Sequence, residues 1–429
     1  MKDYQAVRKL EVLRSLADGS QVLVGTLAQN SEAVFFQYQD EYLARFSSLS
    51  PFKLPFNAQL HQAPTEPHQK LHGVFADSLP DGWGTLLMDR IFRQRGLLPQ
   101  QISAMDRLAY IGERGMGALR YRPALDQDFS AVENFTALET LGREAQAIYD
   151  GDTDIVLAAL AQAGSSGGAR PKALVYMDAD NPSRSSTKAQ SGLQPWLVKF
   201  TSRNLPFGLE ESLCEAAYLQ LATNASFVVP EWKLIRSSST KTAESWLALR
   251  RFDCTEHGRY HMHSVCGLVD APFRMPSLDY ADLIKISQKL CKSIPVGQEV
   301  FARAMFNLIG LNQDDHTKNW AYLMDDAGNW NLSPFYGVTF SPNSNNEHMM
   351  AFQGYGKTPP LKAIQQLAQA ANFSDWAEAK VVVEKMVDVF SDWQTIATQL
   401  GIKAGTRNLI GKQLSAQQQL YRSLYKLAL

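Results

Sequence analysis

One stretch constrains this chain more than any other: Asn312-Gln-Asp-Asp-His-Thr-Lys-Asn319. It follows directly on Phe301 to Leu311, an apolar run with helical spacing. After it come a strand-like Trp320-Ala-Tyr-Leu-Met, a turn at Asp325-Asp-Ala-Gly, and a second short strand near Trp330. Helix, polar loop and hairpin in that order put Asp314 and Asn319 on one loop, held between a helix and a sheet. The run Asn331-Leu-Ser-Pro-Phe-Tyr-Gly-Val-Thr-Phe340 continues the same unit.

The rest of the chain changes character along its length. At 429 residues it exceeds what one hydrophobic core fills, so two or three domains are expected. Short strand-like runs open it: Gln21-Val-Leu-Val-Gly-Thr-Leu, Ala33-Val-Phe-Phe-Gln-Tyr and Tyr42-Leu-Ala-Arg-Phe46. Pro80-Asp-Gly-Trp-Gly84 marks a turn, and Thr85-Leu-Leu-Met-Asp-Arg-Ile-Phe after it has helical spacing. Leu108 to Pro123 is punctuated by glycines, which are read here as serving tight turns. Residues 134–163 read as helical, 180–195 as a polar hairpin, and 228–235 and 246–253 as two further strands. From about 278 onward the period is helical: 278–293, 297–311, 361–371, 374–399 and 403–428.

Balanced charge excludes an obvious nucleic-acid binder, since 42 Lys and Arg against 43 Asp and Glu leave a net charge of −1. The cysteines at 214, 254, 266 and 291 form no CxxC pair, so neither a zinc site nor a disulfide framework is expected. The N-terminus lacks a signal-peptide core, and no apolar run approaches the roughly 20 residues that span a bilayer. A cytoplasmic protein without membrane segments is the expectation.

Three features carry chemistry. Gly164-Ser-Ser-Gly-Gly-Ala-Arg-Pro-Lys172 is a Gly/Ser-rich loop before a strand, whose backbone N–H groups can approach phosphate oxygens; it is not a P-loop, because the GK[ST] ending is missing. Trp196-Leu-Val-Lys-Phe200 is a strand carrying one lysine among apolar neighbours, and Glu215 opens the next helix. A strand lysine paired with a helix glutamate positions ATP phosphates in kinases, and an Asp followed five positions later by Asn is the kinase catalytic loop.

Read together, these runs resemble the HipA family of bacterial toxin serine/threonine kinases. The matching runs are Leu79-Pro-Asp-Gly-Trp-Gly84, Gly117-Ala-Leu-Arg120, Ser165 to Lys172, Trp196-Leu-Val-Lys199, Arg251-Phe-Asp253, Asn312 to Asn319 and Leu332-Ser-Pro-Phe-Tyr336. The resemblance implies an α+β chain with a two-lobed protein-kinase-like fold, a β-rich N-lobe and a helical C-lobe, preceded by a small mixed α/β N-terminal domain. The corresponding divisions are 1–145, 146–255 and 256–429. It implies ATP and Mg2+ as cofactors, Asp314 as the catalytic residue and Asn319 as a metal ligand. Around the nucleotide it implies Ser166, Gly167, Gly168, Ala169, Lys172, Lys199, His316 and Lys318, with Arg250, Arg251 and Phe252 as the adenine hinge. Ser165 corresponds to the autophosphorylated loop serine, where about two added negative charges would oppose ATP phosphates. A HipB-like helix-turn-helix antitoxin is the implied partner, with DNA reached only through it, and a protein the implied substrate. Family targets include an aminoacyl-tRNA synthetase, whose phosphorylation stalls translation and favours persistence.

One position departs from the pattern. The family follows Leu-x-Pro-x-Tyr with Asp, a second metal ligand, and here that position is Gly337. Asp325 and Asp326 lie in the hairpin turn and are not expected to substitute. Natural variation with a displaced ligand, a substitution introduced because an active toxin harms its host, and a pseudokinase are the three readings. The preferred expectation is a kinase-toxin lineage whose present form is catalytically impaired. The rival is a non-catalytic module that acts with the antitoxin in operon repression. A small-molecule kinase shares the Asp-x4-Asn logic but would lack the Pro-Asp-Gly-Trp-Gly region.

Overall fold

Burial alternates over the first four residues of Lys9–Ser15 (β1), which pairs antiparallel with Gln21–Gln29 (β2), and the register shifts between Val12 and Leu13. That bulge ends the alternation, so Leu13, Arg14 and Ser15 are buried consecutively. Val34–Tyr38 (β3), His61–Gln62 (β4) and Leu119–Arg122 (β5) complete a five-stranded sheet in the order β4-β3-β2-β1-β5. The computed structural model describes residues 5–123, 137–156, 160–161, 163, 167–237 and 245–427.

Within those residues the chain falls into two units. One comprises Met1–Leu209, Ile235–Asp270 and Leu323–Asn329; the other comprises Glu210–Leu234, Ala271–Tyr322 and Trp330–Leu429. Sheets dominate the first and helices the second, as the change of periodicity predicts.

In the first unit the expected strand Tyr42 to Phe46 is instead a helix, Asp40–Arg45 (α1). Asp40 and Glu41 sit in its first turn and Arg45 in its last, the arrangement the helix dipole favours. Tyr42 and Phe46, one helical turn apart, stack at 4.9 Å, so the aromatic spacing was helical rather than extended. Gly73–Ala76 (α2) is a single short turn of helix. Gly82–Gln94 (α3) buries Trp83, Leu87, Met88, Ile91 and Phe92 along one face. A further helix, Ala104–Ile111 (α4), starts at a capping box in which Ser103 Oγ accepts from Asp106 N–H and Asp106 accepts from Ser103 N–H at 2.8 Å. Within the expected helical stretch 134–163, Leu138–Asp150 (α5) is closed by Gly151 in the left-handed conformation at φ +85° and residues 160–161 are again helical, while 134–136, 157–159 and 162 lie outside the described residues.

The unit's second sheet carries the nucleotide candidates. Lys172–Met177 (β6) pairs with Ser185–Ser186 (β7) and with Gln194–Lys199 (β8), and β8 pairs on its other side with Ser245–Arg250. Lys172 stands directly opposite Lys199 in the β6–β8 ladder.

Helices of the second unit follow the apolar spacing closely. They are Glu211–Asn224, Tyr280–Cys291, Pro295–Ile309, Leu361–Ala370, Trp376–Val389, Trp393–Gln399 and Ala404–Tyr425. The expected 374–399 helix is broken by a 3-10 turn at Phe390–Asp392. Tyr218, Phe306, Phe390 and Trp393 pack edge-on and tilted around one core, where Phe306 and Phe390 lie 4.8 Å apart. Among the described residues no helix is long and apolar enough to cross a membrane.

Candidate active site

The candidate residues divide between the two units. In the second, the helix Pro295–Ile309 delivers the chain into the loop, and Leu311 takes a positive φ of 52° to turn it. Four side chains then fix the loop from beneath. Asn312 Nδ2 donates to Asn307 Oδ1 at 2.8 Å, and its own Oδ1 accepts from Ser341 Oγ at 3.0 Å. Gln313 Oε1 accepts from Asn343 N–H at 2.8 Å. Asp315 is fully buried and accepts from Tyr280 Oη at 2.6 Å and from the N–H groups of Met349 and Met350, with His348 Nδ1 at 2.9 Å. Thr317 Oγ1 donates to Ala271 O at 2.9 Å.

On that base the chemistry-bearing groups come together. The Asp314 side chain is 62% exposed, and its N–H donates to Ser341 Oγ at 3.3 Å. His316 Nε2 lies 3.7 Å from Asp314 Oδ1, with the imidazole packed on Phe273. Asn319 Nδ2 donates to Asp314 O at 2.6 Å, which orients the amide and leaves Oδ1 on its other side. Lys318 aims its ammonium at the Phe273 ring, 4.4 Å from the centroid, and its carbonyl accepts from Tyr336 Oη at 2.8 Å.

Gly337 belongs to the same cluster. A Cβ built there falls 3.0 Å from Asn319 Oδ1, so a side chain at 337 would share a space with the Asn319 amide. Its φ is +67°, a region that Asp and Asn enter more readily than other non-glycine residues. Magnesium asks for oxygen ligands in near-octahedral array. Asn319 offers one neutral oxygen and Gly337 offers none, so this donor set does not fit a kinase metal clamp. Among the described residues no three His, Cys, Asp or Glu side chains group to hold a metal. The hairpin carboxylates are engaged elsewhere: Asp325 accepts from Asn329 N–H at 2.8 Å, and Asp326 pairs with the buried Arg14 at 3.1 Å.

In the first unit, Lys172 and Lys199 are cross-strand neighbours, which places two cationic side chains on one face of the sheet. Lys172 Nζ donates to Gly167 O at 2.5 Å. Gly168 N–H donates to Asp81, Trp83 N–H donates to Gly168 O at 3.1 Å, and Trp83 Nε1 donates to Lys172 O at 2.8 Å. Pro80-Asp-Gly-Trp, read from sequence as a turn, is therefore also the brace of the Gly-rich loop. Its signal was an Asp and a Trp at a turn, which spacing alone does not connect to a loop 87 residues on. Ala169 is exposed; Ser165 and Ser166 lie outside the described residues.

The hinge candidates show mixed roles. Arg250 lies over the Trp196 ring at 5.7 Å. Arg251 is buried, its guanidinium bonds both oxygens of Asp253, and its N–H donates to Pro195 O at 3.1 Å. Burial opposes charge on both partners, yet attraction between them prevails. Asp253 is held well below the carboxylate range by Arg251, by Arg259 and by Gly117 N–H, and Arg251 is raised. The Arg251 side chain thus ties the hinge segment to Gly115 O, and Asp253 ties it to Gly117 N–H.

One trio resembles a hydrolytic triad: Ser50 Oγ lies 2.9 Å from His263 Nε2, and His263 Nδ1 lies 2.6 Å from Asp77 Oδ2. Ser50 is 1% exposed and His263 0%, so no substrate can reach the hydroxyl. Asp77 also accepts from Ser264 N–H and Oγ, which is the work of a structural carboxylate.

The family model "HipA-like C-terminal domain" matches residues 164–394, and "HipA N-terminal domain" matches residues 19–122. No curated protein matches the sequence. Among solved structures, the fold is similar to HipA of the Shewanella oneidensis MR-1 toxin–antitoxin system, solved in complex with HipB and operator DNA. The TM-score is 0.70 at 15% identity, covering 98% of this chain and 100% of that one. The Helicobacter pylori proinflammatory kinase CtkA matches with a TM-score of 0.38 at 9% identity, covering 61% of this chain and 92% of that one.

Proposed function

The chain belongs to the HipA family, and from that membership we propose that it is the toxin of a toxin–antitoxin pair: an ATP-dependent protein serine/threonine kinase with an incomplete metal clamp. The observation that carries this reading is the cluster of exposed Asp314, the Asn319 amide and the vacant side-chain position of Gly337. The opposed lysines 172 and 199 beside a glycine loop support phosphate binding. In this reading residues 1–145 are the N-terminal domain, 146–255 the β-rich lobe and 256–429 the helical lobe.

Asp314 orients the acceptor hydroxyl and takes its proton as the oxygen attacks the γ-phosphorus; the bond to the β-phosphate oxygen breaks and ADP leaves. Lys172 and Lys199 hold the phosphates, and backbone of Arg250 to Phe252 meets the adenine. His316 and Lys318 flank the nucleotide side of the loop. Magnesium would offset the charge that develops on the phosphates, and Asn319 alone, with no carboxylate at Gly337, would hold it poorly, so the transfer is expected to be slow. Phosphorylation of Ser165 would silence the kinase by placing like charge against the nucleotide.

The Shewanella HipA was solved with HipB and operator DNA, which supports a HipB-like helix-turn-helix antitoxin as partner, with DNA held through it. A net charge of −1 agrees with that division of labour. The substrate is a translation-related protein in the cytoplasm, of the aminoacyl-tRNA synthetase kind that the family implies.

Radiolabelled phosphate from ATP tests the reading. The unaltered chain should leave Ser165 unlabelled, Gly337→Asp should restore labelling, and Asp314→Asn in that background should abolish it. Robust labelling by the unaltered chain overturns the impaired-kinase reading. Silence of Gly337→Asp leaves the second reading, a non-catalytic partner of the antitoxin, which Gly337 itself favours.

A further inference from the structure

The Gly-rich loop is braced by a carboxylate. Asp81 stands at the N-cap of α3 but makes no cap bond to its own helix. It is 5% exposed and accepts instead from Gly168 N–H. The approach is close because position 82 is glycine: its φ is +41°, and a Cβ there would fall 2.7 Å from Ala169 Cα. Trp83 N–H takes the Gly168 carbonyl at 3.1 Å, so both polar backbone atoms of Gly168 are engaged by Asp81 and Trp83.

We propose that Asp81 is an intramolecular anion that occupies Gly168 N–H in place of a nucleotide phosphate, so that ATP binds only by displacing its carboxylate. The proposal rests on the nucleotide-binding reading above. A neutral Ser or Asn caps a helix as well as Asp does, so capping does not account for a buried charge at this position. A carboxylate is the stronger acceptor for the loop N–H, and it repels a phosphate that approaches the same donor. Lys172, bonded to Gly167 O from the same loop, is drawn to that side with it. The N-terminal part of the chain thereby sets how readily the loop accepts phosphate.

Calorimetric titration of the full chain with ATP, ADP and adenosine decides the matter. Asp81→Asn should bind ATP and ADP about ten-fold tighter, the effect of losing roughly one charge-assisted hydrogen bond from the competing state, and adenosine unchanged. Asp81→Ser, which keeps a polar side chain at that position but carries no charge, should show the same gain. Hydrogen exchange at the Gly168 amide should quicken in both. A residue that merely supports the fold would act the other way, so weaker or unchanged ATP binding by both variants overturns the proposal. An equal gain for adenosine overturns it too, because the competition would not be with phosphate. If the unaltered chain binds ATP and the variants bind no tighter, the latch alone falls. If none of the three proteins binds nucleotide, the nucleotide reading falls and the latch with it.

Discussion

The catalytic-loop candidate and the Gly-rich loop are held in opposite ways. Beneath Asp314 lies a dense set of buried partners drawn from its own surroundings: Asn307, Asn312, Gln313, Asp315, Tyr280 and His348. The described part of the Gly-rich loop is exposed at Gly167 and Ala169 and is held by Asp81, Trp83 and Lys172, two of them from far upstream. The first arrangement preorganises a reacting group, which needs fixed geometry. The second leaves a binding element adjustable through the charged contacts of Asp81 and Lys172. Rigidity sits where chemistry is expected, and adjustability where a ligand enters.

The strongest way to break this contrast is to remove the anchor under the rigid loop. Asp315→Asn replaces one acceptor oxygen by an NH2 group that faces other donors, the Tyr280 hydroxyl and the Met349 and Met350 N–H groups. The cost should be about 3–5 kcal/mol, as for breaking a buried charged network. Asp314→Asn, one residue away and mostly exposed, should change stability by under about 0.5 kcal/mol. Urea denaturation midpoints of the two variants measure the difference. Equal, small effects would show that the loop does not depend on its buried base.

Acid should sharpen the contrast from the other side. His72 and His261, both in the unit that carries the Gly-rich loop, are pushed down by burial, to about 4 and about 3. The folded state therefore holds His72 neutral while the unfolded chain protonates near the ordinary value of 6.5. Stability contributed this way is complete above pH 6.5, falls as pH drops towards 4, and levels off below. For His72 alone the loss is roughly 3 kcal/mol by linkage. His72→Phe, which keeps the ring contact with Phe75, should flatten the decline between pH 6.5 and 4 in denaturation curves. An unchanged slope would exclude His72 as its source.

How much of this was legible beforehand depended on the range of each contact. Helical spacing announced the second unit's helices, because their core contacts recur within a turn or two. Residues 312–319 announced the loop, since Asp314, His316 and Asn319 meet within eight positions. The Tyr42 to Phe46 run misled, because aromatics one turn apart look strand-like when only composition is weighed. Asp315 was hidden by its neighbour: two adjacent Asp residues look alike in sequence, and only the fold buries one and exposes the other. The Asp81 brace was equally hidden, since 87 residues separate it from Gly168. Nor does sequence connect the Arg251 side chain to Asp253, although only two residues separate them.

Ser341 gives the smallest and most selective test of the contrast. Its hydroxyl accepts the Asp314 N–H at 3.3 Å and donates to Asn312 Oδ1 at 3.0 Å, so it links the exposed Asp to the buried base. The longer of these bonds is weak, and Ser341→Ala leaves Asn312 Oδ1 with a remaining 3.4 Å contact to Thr339 N–H. Stability should therefore fall by only about 0.5–1 kcal/mol in thermal or urea melts. If the base exists to place Asp314, the loss should appear elsewhere. In the Gly337→Asp background, phosphoryl transfer should slow about three- to ten-fold with the KM for ATP unchanged. Asp81→Asn in the same background should do the reverse, lowering KM for ATP with little change in turnover. A shift in KM from Ser341→Ala would mean that the two loops are not separable in this way, and that the base also serves binding.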